Sequence, residues 1–306
     1  MPDTAYFDLN TPSLEGKVSE AEWDTRVNLA AAFRVAYHFG WNQTILNHFS
    51  ARVPDAPDHF VMNPQGLGWH EITASSLITA DFKGNDLTES DYRLAPAGRN
   101  FHSAILDARR DLACVMHVHP KAGIVISATK GGLLPIDQSS SMLFGRVAYH
   151  AFEGLAQEAE EGPRIIEDLG ANQMMIMQNH GVLTVGHTIA EGFALLHSLV
   201  SCCETQAQLM ATGQDYTLVP EDVCKVTQAQ IDARYQNRPR GELEWAMYRR
   251  VAEKLDPEFK LWPGLIGPAG LGMAGSARPA SNLAPRNFRH SDLIRDSIPV
   301  YAAASF

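Results

Sequence analysis

Two histidines one residue apart, His117 and His119, follow the apolar run Ala113-Cys114-Val115-Met116 and precede Pro120. If the run is a strand, residues i and i+2 point to one face, so the two imidazoles stand side by side. Pro120 cannot continue a ladder and forces a turn there. Strand ends beside turns commonly carry active-site groups in α/β folds. A facial site for a divalent cation needs a third nitrogen or carboxylate and an open position for substrate. His180 is the candidate third ligand. It follows a second apolar run, Met174-Met175-Ile176-Met177, and precedes Gly181, where glycine would permit a sharp turn. One such pair is unsurprising in a chain with 12 histidines. Two histidine-bearing strand ends, each followed by a turn residue, are harder to dismiss.

The elements that must position these groups can be read in order. Ser19 and Glu22 form a capping-box pattern, and the apolar body from Trp23 to Tyr37 predicts a helix ending at Gly40. Short strands are expected over Ile45 to Val53, Phe60 to Met62 and Leu77 to Ala80. The spacing predicts helices over Gly98 to Ala108, Ala122 to Thr129 and Gln157 to Leu169. A strand is expected over Arg146 to Tyr149. After the strand Gln173 to Gln178, the turn at Asn179-His180-Gly181 leads into Val182 to Val185. Helices follow over Thr188 to Ala211, Pro220 to Tyr235 and Glu242 to Leu255. Strand and helix alternate through the middle, which indicates an α/β fold. Hairpin-like returns favour a mixed sheet over a purely parallel one. The stretch from Trp262, rich in Gly, Pro, Ala and Ser, reads as an extended tail. Gly270-Leu271-Gly272-Met273-Ala274-Gly275 matches a dinucleotide-binding pattern but lacks the preceding strand and following helix that pattern requires.

The chain has 306 residues, 45% hydrophobic and 20% charged, as in a soluble globular protein. A net charge of −10 argues against a broad nucleic-acid surface. Cys114, Cys202, Cys203 and Cys224 show no C-x-x-C spacing and read as reduced thiols of a cytoplasmic protein. No secretion signal and no membrane-spanning run is expected.

The histidine segments resemble those of the class II aldolase/adducin family. The resemblance runs from about Glu22 to Gly213. Asn47-His48-Phe49-Ser50-Ala51-Arg52 resembles the family's early strand. Met62-Asn63-Pro64-Gln65-Gly66 with Glu71-Ile72-Thr73-Ala74-Ser75 resembles its substrate loop. Phe101-His102-Ser103-Ala104-Ile105 leads to the His-x-His pair, and Gln178-Asn179-His180-Gly181-Val182 resembles the second ligand segment. The resemblance implies a three-layer αβα domain with a mixed, mostly antiparallel sheet. It also implies a homotetramer and a divalent metal, zinc first with manganese or iron as alternatives, on His117, His119 and His180. The corresponding division of the chain is a lead-in over 1–18, the aldolase-like domain over 19–215, a helical extension over 216–261 and a tail over 262–306.

Departures from the pattern narrow the chemistry. Phosphosugar aldolases of the family carry a Ser-Ser-Glu run whose serines bind phosphate and whose glutamate is the acid/base. Pro96-Ala97-Gly98 stands there instead. The phrases Leu133-Leu134-Pro135-Ile136 and Val147-Ala148-Tyr149-His150 resemble the adducin branch, yet all three histidines are kept. Replacement proton carriers are Tyr149, by analogy with a tyrosine that acts across a subunit boundary, and His102, one helical turn beyond residue 98. Asn47, Gln65 and His70 are candidate substrate contacts. Gly98 is expected to leave free volume beside the metal for a planar or bulky acid. The expected activity is cleavage of a carbon–carbon bond, by retro-aldol or decarboxylation, in a non-phosphorylated hydroxy- or keto-acid. Alternatives are a non-haem iron oxygenase and a non-catalytic adducin-like interaction protein.

Overall fold

In the computed structural model, which describes residues 12–155 and 160–260, helix α1 (Glu20–His38) opens where the Ser19 hydroxyl accepts the Glu22 amide. The reciprocal half of the capping box is absent. The Glu22 carboxylate instead accepts from Arg26 and from Thr79. Arg26 is fully buried and also donates to the carbonyls of Ala74 and Leu77, which fixes α1 to the sheet's first edge. Removing one member of such a buried charged network typically costs about 3–5 kcal/mol.

The strands are β1 (His48–Val53), β2 (Ala56–Met62), β3 (Ile78–Asp81), β4 (Cys114–Val118), β5 (Val147–His150), β6 (Met174–Met177) and β7 (Gly181–Gly186). They form one seven-stranded sheet in the order β3-β2-β1-β4-β7-β6-β5. Every pairing is antiparallel except β5 with β6. The histidine strand β4 is therefore central, and all five of its residues are buried. It shows no apolar–polar alternation because helices cover both faces. On one face α1 packs with α6 (Ile189–Ala211) and α8 (Glu242–Leu255); on the other, α2 (Pro96–Ala108) packs with α5 (Glu161–Leu169). Helix α3 (Lys121–Ser127) leaves β4 at Pro120 and lies against α6 and β7. This is the expected α/β class, with a mixed and mostly antiparallel sheet.

Some elements differ from the sequence expectation. Strand β1 starts at His48 rather than Ile45, because Ile45 and Leu46 are exposed and Asn47 takes a positive φ of 78°. A short helix α4 (Gln138–Leu143) has no apolar periodicity to betray it. Its start is fixed by a capping box between Asp137 and Ser140. Helix α7 (Glu221–Tyr235) packs on α4. Tyr248 and Ala252 of α8, with Phe259 beyond it, enter the main hydrophobic core. The glycine-rich pattern at 270–275 and the tail expected over 262–306 lie outside the described residues.

Candidate metal centre

His117, His119 and His180 converge. Their rings lie 4.6 to 4.8 Å apart, centroid to centroid, and one ligand nitrogen from each falls within 4.8 Å of the others. His117 is buried, while His119 and His180 are half-buried, so the group opens on one side. Strand alternation delivers the first two, and the β6–β7 turn delivers the third. The turn's positive φ, 55°, falls on Asn179 rather than Gly181. Gly181 serves a different end from the one its sequence context suggests. A Cβ there would stand 2.6 Å from the Val118 carbonyl oxygen and 2.7 Å from His119 Cδ2. Glycine is needed so that the two strand ends can close on each other.

Whether a cation fits is decided by the tautomers. His117 Nδ1 donates to the Val182 carbonyl at 3.0 Å, and His119 Nδ1 donates to Gln43 Oε1 at 2.7 Å. With Nδ1 carrying the proton, each neutral ring presents a bare Nε2 lone pair. The two Nε2 atoms are 2.8 Å apart. Lone pairs facing at that distance repel unless a positive charge lies between them. A proton is a poor candidate. Burial, together with the His180 and His48 rings, pushes His119 down to about 3, and burial first and neighbouring imidazoles second hold His117 well below its usual value. Imidazole donors held from behind by hydrogen-bond acceptors suit a divalent first-row metal. The donor set fits the group.

A fourth histidine lies behind the first three. His48 pairs across the strands with His117, and the two rings are nearly parallel, 17° and 6.3 Å apart. A Cβ on Gly98 would meet His48 Cγ and Cδ2 at 2.6 Å and Met62 Cε at 2.6 Å. The free volume expected at Gly98 is therefore not there, because the imidazole of His48 and the Met62 methyl fill it. His48 is pushed down to about 4 by burial first and by His180 second, and its Nδ1 has no hydrogen-bond partner among the described residues.

His102 sits deeper. It is wholly buried, its Nδ1 is 2.7 Å from the Ser50 hydroxyl, and its ring is 5.7 Å from that of His48. Burial holds it well below its ordinary pKa. With no exposed surface of its own, the ring touches Ser50 and His48 and reaches the histidine group through them. Asn47 is also buried: its Oδ1 accepts from the Gln43 amide, and its Nδ2 has no partner among the described residues. Gln65 is exposed, with its amide bound to the Arg93 carbonyl. His70 packs on Tyr37 at the end of α1, and its carbonyl is held by Arg34. The Tyr149 hydroxyl accepts from the Leu133 amide at 3.0 Å, and the ring lies over Gly132. Burial raises its pKa. Neither His102 nor His70 belongs to the three-histidine group.

Two participants escape a sequence reading. Gln43 orients His119 from the connection between α1 and β1, where the sequence carries no signal of that role. His48 could have been suspected from its i, i+2 relation to Ser50 on a strand, but its pairing with His117 is invisible without the sheet order.

With this geometry in place, the comparisons are specific. Residues 27–207 match the Class II Aldolase and Adducin N-terminal domain, and the chain belongs to this family. Members of the superfamily are typically metal-dependent lyases, and its aldolases use a divalent metal, usually zinc. An aldolase II superfamily protein from Pseudomonas syringae is 38% identical, with a TM-score of 0.78 over 81% of this chain and 99% of that one. The L-fuculose 1-phosphate aldolase from Glaciozyma antarctica PI12 is 27% identical, with a TM-score of 0.69 over 81% of this chain and 94% of that one. Alpha-adducin of Rattus norvegicus is 40% identical over 191 residues, which are 61% of this chain but 26% of the adducin. Among the described residues no helix is long and apolar enough to cross a membrane.

Proposed function

We propose that the chain is a divalent-metal-dependent lyase that breaks a carbon–carbon bond in a non-phosphorylated hydroxy- or keto-acid, by retro-aldol cleavage or decarboxylation. The observation that carries this reading is the pair of Nε2 atoms 2.8 Å apart, each ring tied through Nδ1 to an oxygen acceptor. A bound divalent cation, zinc in the first instance, would act as a Lewis acid on a substrate oxygen as the bond breaks. Val182 and Gln43 hold the ligand rings in one tautomer, so their orientation costs nothing when substrate arrives. His48, neutral at physiological pH, offers a ring to a substrate oxygen beside the centre. Tyr149 is the proton carrier for a neighbouring copy of the chain in a homotetramer, and Asn47 and Gln65 contact the substrate.

The absence of the Ser-Ser-Glu run argues against a sugar phosphate like that named for the Glaciozyma relative. With His48 in the space beside Gly98, no carboxylate can enter there to remove a substrate proton. Decarboxylation suits that arrangement, since its first step expels carbon dioxide and requires no base.

The test is a substrate panel on zinc-loaded protein. Release of carbon dioxide or an aldehyde from a β-keto or ortho-hydroxy carboxylic acid, with no turnover of dihydroxyacetone phosphate and aldehydes, is expected. Efficient phosphosugar cleavage contradicts the reading. The similarity to alpha-adducin favours a second reading, an interaction domain without catalysis. Purified protein that neither binds metal nor turns over any acid of the panel would select it.

A further inference from the structure

A second group of ligand-type side chains stands where β5 ends. His150 is 1% exposed. Its Nδ1 donates to Asp168 Oδ2 at 2.7 Å, and its Nε2 lies 3.4 Å from Glu161 Oε1. That Nε2 makes no hydrogen bond among the described residues. Ligand atoms of His150, Glu153 and Glu161 all fall within 4.8 Å of one another. Glu161 is buried and Glu153 is exposed, so the group is anchored inside and reachable from solvent.

The chemistry of the imidazole points to a ligand. Asp168 accepts the hydrogen bond from Nδ1–H, as a carboxylate does behind a metal-bound histidine. The neutral ring then turns a bare nitrogen toward the Glu161 carboxylate, so two acceptors face each other with nothing between them. Either a proton on Nε2 or a cation resolves the conflict. Charge balance favours the cation. Glu153, Glu161 and Asp168 carry three negative charges, and Arg164, paired with Glu153, supplies one positive charge. With the Glu160 carboxylate also close enough to act on Arg164, a divalent ion offsets more of this negative charge than a single proton would. The Arg164–Glu153 pair is exposed and therefore weak in water, so a Glu153 oxygen can be released to an ion.

We propose that His150, Glu161 and Glu153 form a second divalent-cation site, distinct from the three-histidine centre. One imidazole with two carboxylates is a harder donor set than three imidazoles, and it suits Mn²⁺ where the histidine centre suits Zn²⁺. The ion would tie the end of β5 to the first turn of α5. Phe152, between two of the ligands, packs 6.1 Å from the His180 ring, and the His150 carbonyl accepts from Gln178. A cation here would thus fasten the wall beside His180. The inference does not rest on the lyase reading.

The experiment uses the full chain, stripped with a chelator, reloaded with one equivalent of zinc and titrated with Mn²⁺. Mn²⁺ binding is followed by the loss of the free-ion paramagnetic resonance signal, and retained zinc is followed by elemental analysis. The expected result is one Mn²⁺ per chain with zinc undisturbed. Glu161→Gln, nearly isosteric, should weaken Mn²⁺ at least tenfold, and exposed Glu153→Ala should weaken it similarly, with zinc content reporting that the fold survives. A zinc-loaded chain that takes up no Mn²⁺ would overturn the proposal. Uptake that both variants leave unchanged would overturn it equally.

Discussion

The three-histidine centre and the His150 group differ in what stands behind each imidazole. At the centre the Nδ1 acceptors are neutral, the Val182 carbonyl and the Gln43 amide oxygen, and the neighbours are other imidazoles. Behind His150 stands a carboxylate, and carboxylates face it as well. In the first region any added proton meets other rings in a buried place, so the histidines stay neutral and present lone pairs. In the second, negative charge surrounds the ring and a cation of either kind is welcome. The lesson is that a histidine's chemistry is set by its second nitrogen, which no spacing rule reports.

The largest effect that would break this contrast is removal of a ligand. His119→Ala should abolish zinc binding at the centre and turnover with it, while circular dichroism remains that of the native fold. Retained zinc at native affinity would show that the three rings are not a ligand set.

Next in size is the acceptor behind the ligand. Gln43→Leu should weaken zinc by about 10–100-fold, the usual cost of losing such a support. A chelator-competition titration reads this directly. No change would mean that the His119 tautomer needs no help.

Gly98→Ala probes the packing that replaces the expected free volume. Its Cβ would press on His48 and Met62, and overpacking of that kind costs about 1–3 kcal/mol. Chemical denaturation should register the loss. A neutral outcome would mean that His48 can swing aside, and the space beside Gly98 would again be open to substrate.

The smallest effect is a slope. In metal-free protein His48, His102, His117 and His119 all have folded pKa values below the unfolded 6.5. The unfolded chain therefore binds protons first as pH falls. Stability present above pH 6.5 should be lost progressively down to about pH 4, where His48 begins to titrate in the fold. Each neutral buried ring contributes about 1.4 kcal/mol per pH unit. Zinc should raise the stability without removing this slope, because a metal-bound ring takes up no proton in the fold while the unfolded chain still does. A flat profile without metal would contradict the neutral tautomers.

Much of the centre was legible in the sequence because its grammar is local. Strand alternation puts His117 and His119 on one side, and the apolar run before His180 marks a second strand end. Helices α2 and α6 were legible over Gly98 to Ala108 and Thr188 to Ala211, although α2 starts two residues earlier, at Pro96. What stayed hidden depends on pairing between distant segments. The register of β1 on β4 sets His48 opposite His117, and a positive φ at Asn47 aims the preceding loop so that Gln43 reaches His119. Gly98 invited the idea of a vacancy because a glycine says nothing about what fills its place. Gly181 suggested a turn, whereas the close approach of Val118 and His119 is what requires it.

Anomalous diffraction at the zinc edge, on crystals of the zinc-loaded chain, shows directly whether the three imidazoles share one ion. The expected result is a peak bonded to Nε2 of both His117 and His119 and to a ring nitrogen of His180, at about 2.0–2.1 Å from each. A map with no peak there, or with His117 and His119 turned so that an Nε2 proton bridges the two rings, would contradict it.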